Sequence, residues 1–310
     1  MAYLSKSGSV LTAVVRPTTI IEAPRLTKHV GTKIVIASET FQYTGSFKFR
    51  AAYNVASQVP QHLLITASSG NFGQALAYAC SLLNKKCIIV MPTTSAAVKV
   101  EAVREFGGQV DLIDVRLKSR AERVAELARQ HPEAYLASAY DDLFVIEGNS
   151  SLGRELSQLR PDIVVSPVGG GGLISGIIGG IKQSGLNIRV IGAEPLLAND
   201  AARSLREGKL VHNDAEPPTI ADGARTLSLG KRNWEIIRDY RLNIVEVPEE
   251  KIVEAVRLLF GLANLKVEPT GALSLAAVIT QPDLFRDLIV CCVVSGGNVD
   301  PSVFLNLLTS

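Results

Sequence analysis

Lys48 stands between Phe47 and Phe49 and two residues before Arg50, in Thr44-Gly45-Ser46-Phe47-Lys48-Phe49-Arg50. Aromatic neighbours desolvate an amine and a nearby cation disfavours its protonation, so this setting favours the uncharged, nucleophilic form that Schiff-base chemistry needs. A lone lysine is ordinarily a solvated surface charge, and partners elsewhere in the chain must lift it above that reading. Three glycine-bearing turns supply them.

Thr66-Ala67-Ser68-Ser69-Gly70-Asn71-Phe72-Gly73 follows an apolar run and opens a helical pattern. Its backbone N–H groups, hydroxyls and amide suit a carboxylate or a phenolic oxygen, although a serine-capped helix start alone also explains it. In Pro167-Val168-Gly169-Gly170-Gly171-Gly172 the unobstructed amides face the positive end of a helix, a setting for phosphate. A tight packing turn is the plainer explanation, but four consecutive glycines cost much chain entropy for that purpose alone. Val294-Ser295-Gly296-Gly297-Asn298 ends an apolar strand, and its serine hydroxyl can share one hydrogen bond with a ring nitrogen. Neither the GxxxxGK[ST] of a nucleoside-triphosphate loop nor the GxGxxG of a dinucleotide fold is present.

The elements that position these turns show in the hydrophobic pattern. Short apolar runs predict strands over 63–67, 86–91, 109–113, 162–166, 189–194, 243–247 and 288–294. Between them, helical periodicity is predicted over 51–57, 71–83, 96–106, 120–129, 172–183 and 251–262. This is the α/β class, with open, mostly parallel twisted sheets covered by helices. The alternation breaks over 131–142, so we expect a small α/β domain at 63–140 and a larger one made of 1–62 plus 141–310. Ligands of such folds bind at the carboxyl ends of strands, often between domains.

With 32 Lys and Arg against 30 Asp and Glu in 310 residues, the chain lacks the field that recruits nucleic acid or an acidic membrane. A small molecule is the expected partner. The uncharged stretch 163–181 approaches membrane-spanning length, but its glycines and Pro167 favour a loop between a buried strand and a buried helix. Cys80, Cys87, Cys291 and Cys292 have no metal-type spacing, and the N-terminus carries no export signal. Reduced thiols in a cytoplasmic protein are expected, and the acceptor pattern at Asn149-Ser150-Ser151 is then coincidental.

Together the motifs TGSFKFRAA, SSGNFGQALAYA, PVGGGGLISG, TIADGAR, EPTGA and SGGN, in this order from about Pro17 to Asn298, resemble fold type II pyridoxal-phosphate enzymes. The branch is that of serine/threonine dehydratases and serine racemases, with a tryptophan synthase β-subunit-like fold. The resemblance implies that Lys48 holds pyridoxal 5′-phosphate as a Schiff base and then removes the substrate Cα proton. It places Phe47 and Gly223 on the two faces of the cofactor ring, Asn71 on the 3′-oxygen, Gly169, Gly170, Gly171 and Gly172 on the phosphate, Ser295 on the ring nitrogen and Glu268 at the ring edge.

Substrate contacts implied by the resemblance are Ser68, Ser69, Gly70, Asn71 and Phe72 around the carboxylate, with Arg120 as a racemase-like arginine against the plainer reading of a helix-surface charge. Ser69 would also deliver a proton to the opposite face. Glu194, the Ala198 carbonyl and Asp200 repeat the spacing of a Mg²⁺ or Ca²⁺ site, and an acidic helix start explains them equally. The implied reaction turns a β-hydroxy-amino acid such as L-threonine or L-serine into a 2-oxo acid and ammonia through an aminoacrylate. Serine or hydroxyaspartate racemisation is the alternative, and a catalytically silent cofactor-binding relative is another. Relatives of this fold are commonly homodimers.

Two departures from the family pattern bear on substrate. Phe72 stands where histidine is usual after the loop asparagine, and Gly148-Asn149-Ser150-Ser151 replaces the common GQGT. The usual N-terminal helix is mostly missing, and no regulatory domain follows, so isoleucine feedback is not expected.

Overall fold

The computed structural model describes residues 11, 13–68, 70–95 and 97–309. In chain order its elements are β1 (Thr19–Glu22), α1 (Pro24–Val30), β2 (Lys33–Ser38), α2 (Lys48–Gln58), β3 (Leu63–Ala67), α3 (Asn71–Leu82), β4 (Lys86–Pro92), α4 (Ala97–Glu105), β5 (Gln109–Ile113), α5 (Arg120–Gln130) and β6 (Tyr135–Leu136). There follow α6 (Leu143–Gln158), β7 (Ile163–Pro167), α7 (Gly172–Ser184), β8 (Arg189–Pro195), α8 (Asp200–Glu207), α9 (Lys231–Tyr240), β9 (Asn243–Val247), α10 (Glu249–Ala263), α11 (Pro269–Thr280), β10 (Ile289–Val294) and α12 (Pro301–Thr309). Among the described residues no helix is long and apolar enough to cross a membrane.

Two sheets result. One has the order β1-β2-β10-β7-β8-β9, parallel throughout except for the antiparallel edge strand β1; the other, β5-β4-β3-β6, is entirely parallel. Solidly apolar strands are required because helices cover both faces. Side chains alternate faces along a strand, and adjacent cysteines show it: Cys292 packs with Val165 and α11, whereas Cys291 packs with Val164 and α7. All four cysteines are buried, free thiols.

Three of the motif turns follow the carboxyl ends of parallel strands: Ser68 to Asn71 after β3, Gly169 to Gly172 after β7, and Ser295 to Asn298 after β10. Helix α2 begins at Lys48 itself, three residues earlier than its periodicity predicts, and is buried from Phe49 to Ala56. It lies between α3 and α6. Two further corrections concern the stretch around residue 140. Tyr135 and Leu136 form a short strand paired with Leu64 and Ile65 of β3, and the polar-looking run that follows continues into the sixteen-residue helix α6.

Arg50, on the first turn of α2, is fully buried. Its guanidinium gives Nε and Nη2 to the buried Glu39 carboxylate at 2.8 and 2.9 Å, and Nη1 to Glu155 at 2.6 Å and Ser151 at 3.1 Å. Glu155 in turn accepts the Thr18 N–H at 2.7 Å. The fork therefore ties α2 to the N-terminal segment, the turn after β2 and α6.

Candidate active site

Lys48 occupies the first position of α2, where the positive end of a helix disfavours an added positive charge. Its Nζ donates to the Ala139 carbonyl at 2.8 Å and lies 5.0 Å from the Phe47 ring centroid and 5.7 Å from that of Phe72. Burial lowers its pKa from 10.5 to about 8, against the upward pull of the Glu268 charge. The expected help from Arg50 is corrected: that charge is turned away from Lys48 and spent on Glu39 and Glu155.

Asn71, the first residue of α3, donates from Nδ2 to both Glu268 oxygens, at 2.9 and 3.0 Å. Glu268 precedes α11, and its N–H reaches the Gly296 carbonyl at 3.2 Å. Its carboxyl is pushed up to about 7, chiefly by burial and then by the charge of Asp222, while Asn71 and Lys99 pull it down. Within the same cluster the Ser295 hydroxyl is buried without a hydrogen-bond partner, and its carbonyl accepts the Phe47 N–H at 2.9 Å. An orphaned buried hydroxyl is costly unless something pairs with it, and a ring nitrogen is a fitting partner.

Helix α7 starts at Gly172 with no side chain capping it, so its first N–H groups are free to meet an anion. Gly171 has φ +89°, the left-handed region that favours glycine. The glycine run has a packing cause as well: a Cβ on Gly170 would fall 2.3 Å from the Tyr140 ring. Asn233 Nδ2 bridges the Tyr140 and Gly170 carbonyls at 2.9 and 2.8 Å, and Asn149 Nδ2 holds the Gly172 carbonyl at 3.0 Å. Gly169 closes on the Gly223 backbone, and the Gly223 N–H donates to Thr270 Oγ1 at 2.9 Å. A nucleophilic amine, an amide donor, an unpaired hydroxyl and an open helix start fit pyridoxal phosphate.

The remaining positions are less uniform. Ser68 Oγ accepts the Gly73 N–H at 3.1 Å, which makes it part of the start of α3, and Gly70 is the helix cap. Phe72 is buried in the core between α2 and α3 and does not stand open to a ligand. Ser69 lies outside the described residues. Arg120 heads α5, partly exposed, 3.8 Å from Glu216.

Glu194 accepts the N–H groups of Ala201 and Ala202, both at 2.9 Å, so it serves as the acidic start of α8. Asp200 takes Asn213 Nδ2 on Oδ1 at 2.9 Å and leaves Oδ2 buried without a partner. Burial, with the charge of Asp200 added, raises Glu194 well above the carboxylate range, and burial raises Asp200 to about 6. Among the described residues no group of three or more His, Cys, Asp or Glu could hold a metal.

Sequence reasoning missed Ala139, Tyr140, Asn149 and Asn233. The first two sit in an irregular stretch read only as turn residues, and the asparagines act on carbonyls that no motif marks. Gly148 to Ser151, noted as a departure, supports the site from behind, because Asn149 secures the Gly172 carbonyl and Ser151 meets Arg50.

Glu268 gives a pH test. Its carboxyl titrates near 4.5 in the unfolded chain and about 7 in the folded one, so the folded state holds a proton that the unfolded state lacks between these values. This contribution to stability is full below pH 4.5 and is lost as pH rises through about 7. Urea unfolding of the apo protein from pH 4 to 8 should show a steeper decline for wild type than for Glu268→Gln; parallel curves would contradict the shift.

Comparisons with known proteins show the family. The family model described as pyridoxal-phosphate dependent enzyme matches residues 11–296. The chain is 35% identical over 309 residues to an L-threo-3-hydroxyaspartate ammonia-lyase of Pseudomonas sp, covering 98% of this chain and 96% of the relative. Among solved structures, maize serine racemase superposes with a TM-score of 0.92 at 30% identity, covering 98% of this chain and 94% of that one. A threonine deaminase from T.th. gives 0.90 at 36% identity, covering 96% and 97%. With these loops gathered around Lys48 and a family match over nearly all its length, the chain belongs to the pyridoxal-phosphate dependent enzymes of fold type II.

Proposed function

We propose that this enzyme is an ammonia-lyase that converts a β-hydroxy-amino acid, such as L-threonine or L-serine, to a 2-oxo acid and ammonia. The observation that carries the proposal is the buried Lys48 amine, pKa about 8, in one cluster with the Asn71 and Glu268 pair and the unpaired Ser295 hydroxyl. When bound, pyridoxal phosphate draws the electrons of the substrate Cα–H bond into its ring. Lys48 Nζ would hold the cofactor covalently and, once freed by the substrate amine, would act as the base at the substrate Cα proton.

Phe47 and Gly223 would bound the ring faces, Asn71 would meet the 3′-oxygen, the N–H groups of Gly169 to Gly172 would hold the phosphate, and Glu268 would line the ring edge. Ser295 would engage the ring nitrogen as a neutral hydroxyl, which would not force that nitrogen to stay protonated; a weaker electron sink favours loss of the β-hydroxyl over longer-lived carbanion chemistry. Ser68, Ser69 and the backbone of Gly70 to Phe72 would bind the substrate carboxylate, with Ser69 the proposed proton donor to the opposite face and Arg120 a further substrate contact. Residues 63–140 form the small α/β domain, supported by strands β3 to β6 all falling within it, and 1–62 plus 141–310 the larger, cofactor-anchoring one. Buried reduced thiols support a cytoplasmic setting, where we expect a homodimer.

Incubation of holoenzyme with a panel of β-hydroxy-amino acids, read as 2-oxo acid formation, tests the proposal. Turnover of at least one is expected, and silence across the panel would sink it. Racemisation of serine or hydroxyaspartate is the second reading, supported by the serine racemase relative. Chiral chromatography of recovered substrate decides, and unchanged enantiomeric purity excludes it.

The same proposal includes a hard cation, Mg²⁺ or Ca²⁺, beside Glu194, the Ala198 carbonyl and Asp200. It is supported by the unpartnered Asp200 Oδ2 and by two neighbouring buried carboxyls whose repulsion a cation relieves. Added Mg²⁺ or Ca²⁺ should raise the melting temperature of wild type but not of Asp200→Asn; no rise in wild type excludes the site.

A further inference from the structure

Asn71 has a fixed direction, and Asn298 sets it. The Thr44 carbonyl, which only accepts, takes one hydrogen from Asn298 Nδ2 at 2.7 Å. The same Nδ2 gives its other hydrogen to Asn71 Oδ1 at 2.8 Å. Asn71 is left with Nδ2 toward the Glu268 carboxyl. The Thr44 carbonyl, an acceptor at any pH, therefore permits one orientation of both amides. Room for it comes from Gly45, at φ +72°, where a Cβ would fall 2.3 Å from Asn298 Oδ1. The turn is pinned again by the Gly297 N–H on the Gly45 carbonyl at 3.0 Å.

We propose that Asn298 is a positioning residue for the cofactor, turning Asn71 so that an N–H donor, and not a carbonyl oxygen, meets the phenolic 3′-oxygen. This rests on the placement of Asn71 on that oxygen under Proposed function. The two Glu268 oxygens lie too close together to take separate hydrogens of one amide, so they share one Asn71 N–H and the other is left for the 3′-oxygen.

Asn298→Asp replaces the donor by acceptors of the same shape, and the facing Asn71 amide then turns its Nδ2 away from the site. Titration of the apo protein with pyridoxal phosphate, read by visible absorbance, gives both the affinity and the position of the bound band. About tenfold weaker binding and a displaced band are expected for Asn298→Asp and for Asn298→Ala, the loss of one aligned hydrogen bond. Asn298→Ala adds no charge and carries the test if the aspartate variant does not fold.

In an Asn71→Ala background, replacing Asn298 should add no further loss, because both act through one contact. Independent, additive losses would overturn the positioning role, as would wild-type affinity and band in both Asn298 variants. Asn71→Ala alone separates the two claims. If it binds with wild-type affinity and an unmoved band, the placement of Asn71 on the 3′-oxygen fails; if it weakens binding while the Asn298 variants do not, only the role of Asn298 fails.

Discussion

Lys48→Ala is expected to lower 2-oxo acid formation by about 10³-fold or more and to abolish the visible band of covalently held cofactor. In the proposed function one amine performs two tasks at this position, covalent capture and proton removal, and a positioned base alone is worth roughly 10²–10⁴-fold. The side chain makes one hydrogen bond, to Ala139 O, so its removal should leave the fold intact. Circular dichroism of the variant checks that. The pH course follows from the lowered pKa: as pH rises through about 8 the apo protein's amine loses its proton, and its reaction with pyridoxal phosphate should accelerate over that range. An amine with an ordinary surface value would accelerate some two units higher. A Lys48→Ala protein that retained both band and turnover would remove the basis of the proposed function.

Arg50→Ala should produce the largest loss of stability of any single replacement near the site, about 3–5 kcal/mol by urea unfolding of the apo protein. The size follows from what remains behind. Glu39 is fully buried and loses the only cation paired with it among the described residues, and Glu155 loses its guanidinium partner. Arg50→Lys should recover only part of the loss, because an ammonium cannot present the fork that serves Glu39 twice, Glu155 and Ser151 together. A loss under about 1 kcal/mol for Arg50→Ala would mean that the carboxylates find water on its removal. Cofactor affinity should fall in parallel, since Arg50 fixes the turn of helix that carries Lys48.

Much of the fold is legible in the sequence wherever burial on both faces makes a strand uniformly apolar, as in 163–167 and 289–294. Strand β1 is not, because half-exposed Thr19–Glu22 carries no such run. Strand β2 does contain the apolar run Ile34 to Ala37, and its pairing with β1 on one side and β10 on the other is set by contacts distant in sequence. The site divides along the same line. Lys48, Asn71, the glycine run and Ser295 lie at strand ends or helix starts, where backbone geometry imposes a readable local signature. Tyr140 and Asn233 close on the glycine loop from irregular or helical positions that only the tertiary fold brings together. Arg50 shows the limit most clearly: adjacency suggested a cation acting on Lys48, but the rotation of α2 sends its guanidinium toward Glu39 and Glu155.

Phe72 is informative in another way. Its place after Asn71 suggested direct substrate contact, whereas its ring packs among Phe49, Ala75 and Leu76. The ring acts on Lys48 by keeping water from the amine, and substrate preference is then expected to depend on groups at the mouth and not on this side chain.

The most direct measurement of the central claim is borohydride reduction of the holoenzyme followed by peptide mass spectrometry. The phosphopyridoxyl group is predicted on the peptide bearing Lys48, with none on that peptide without reduction. Its appearance on a different lysine, with Lys48 unmodified, would contradict the placement of the cofactor and of the site built around it.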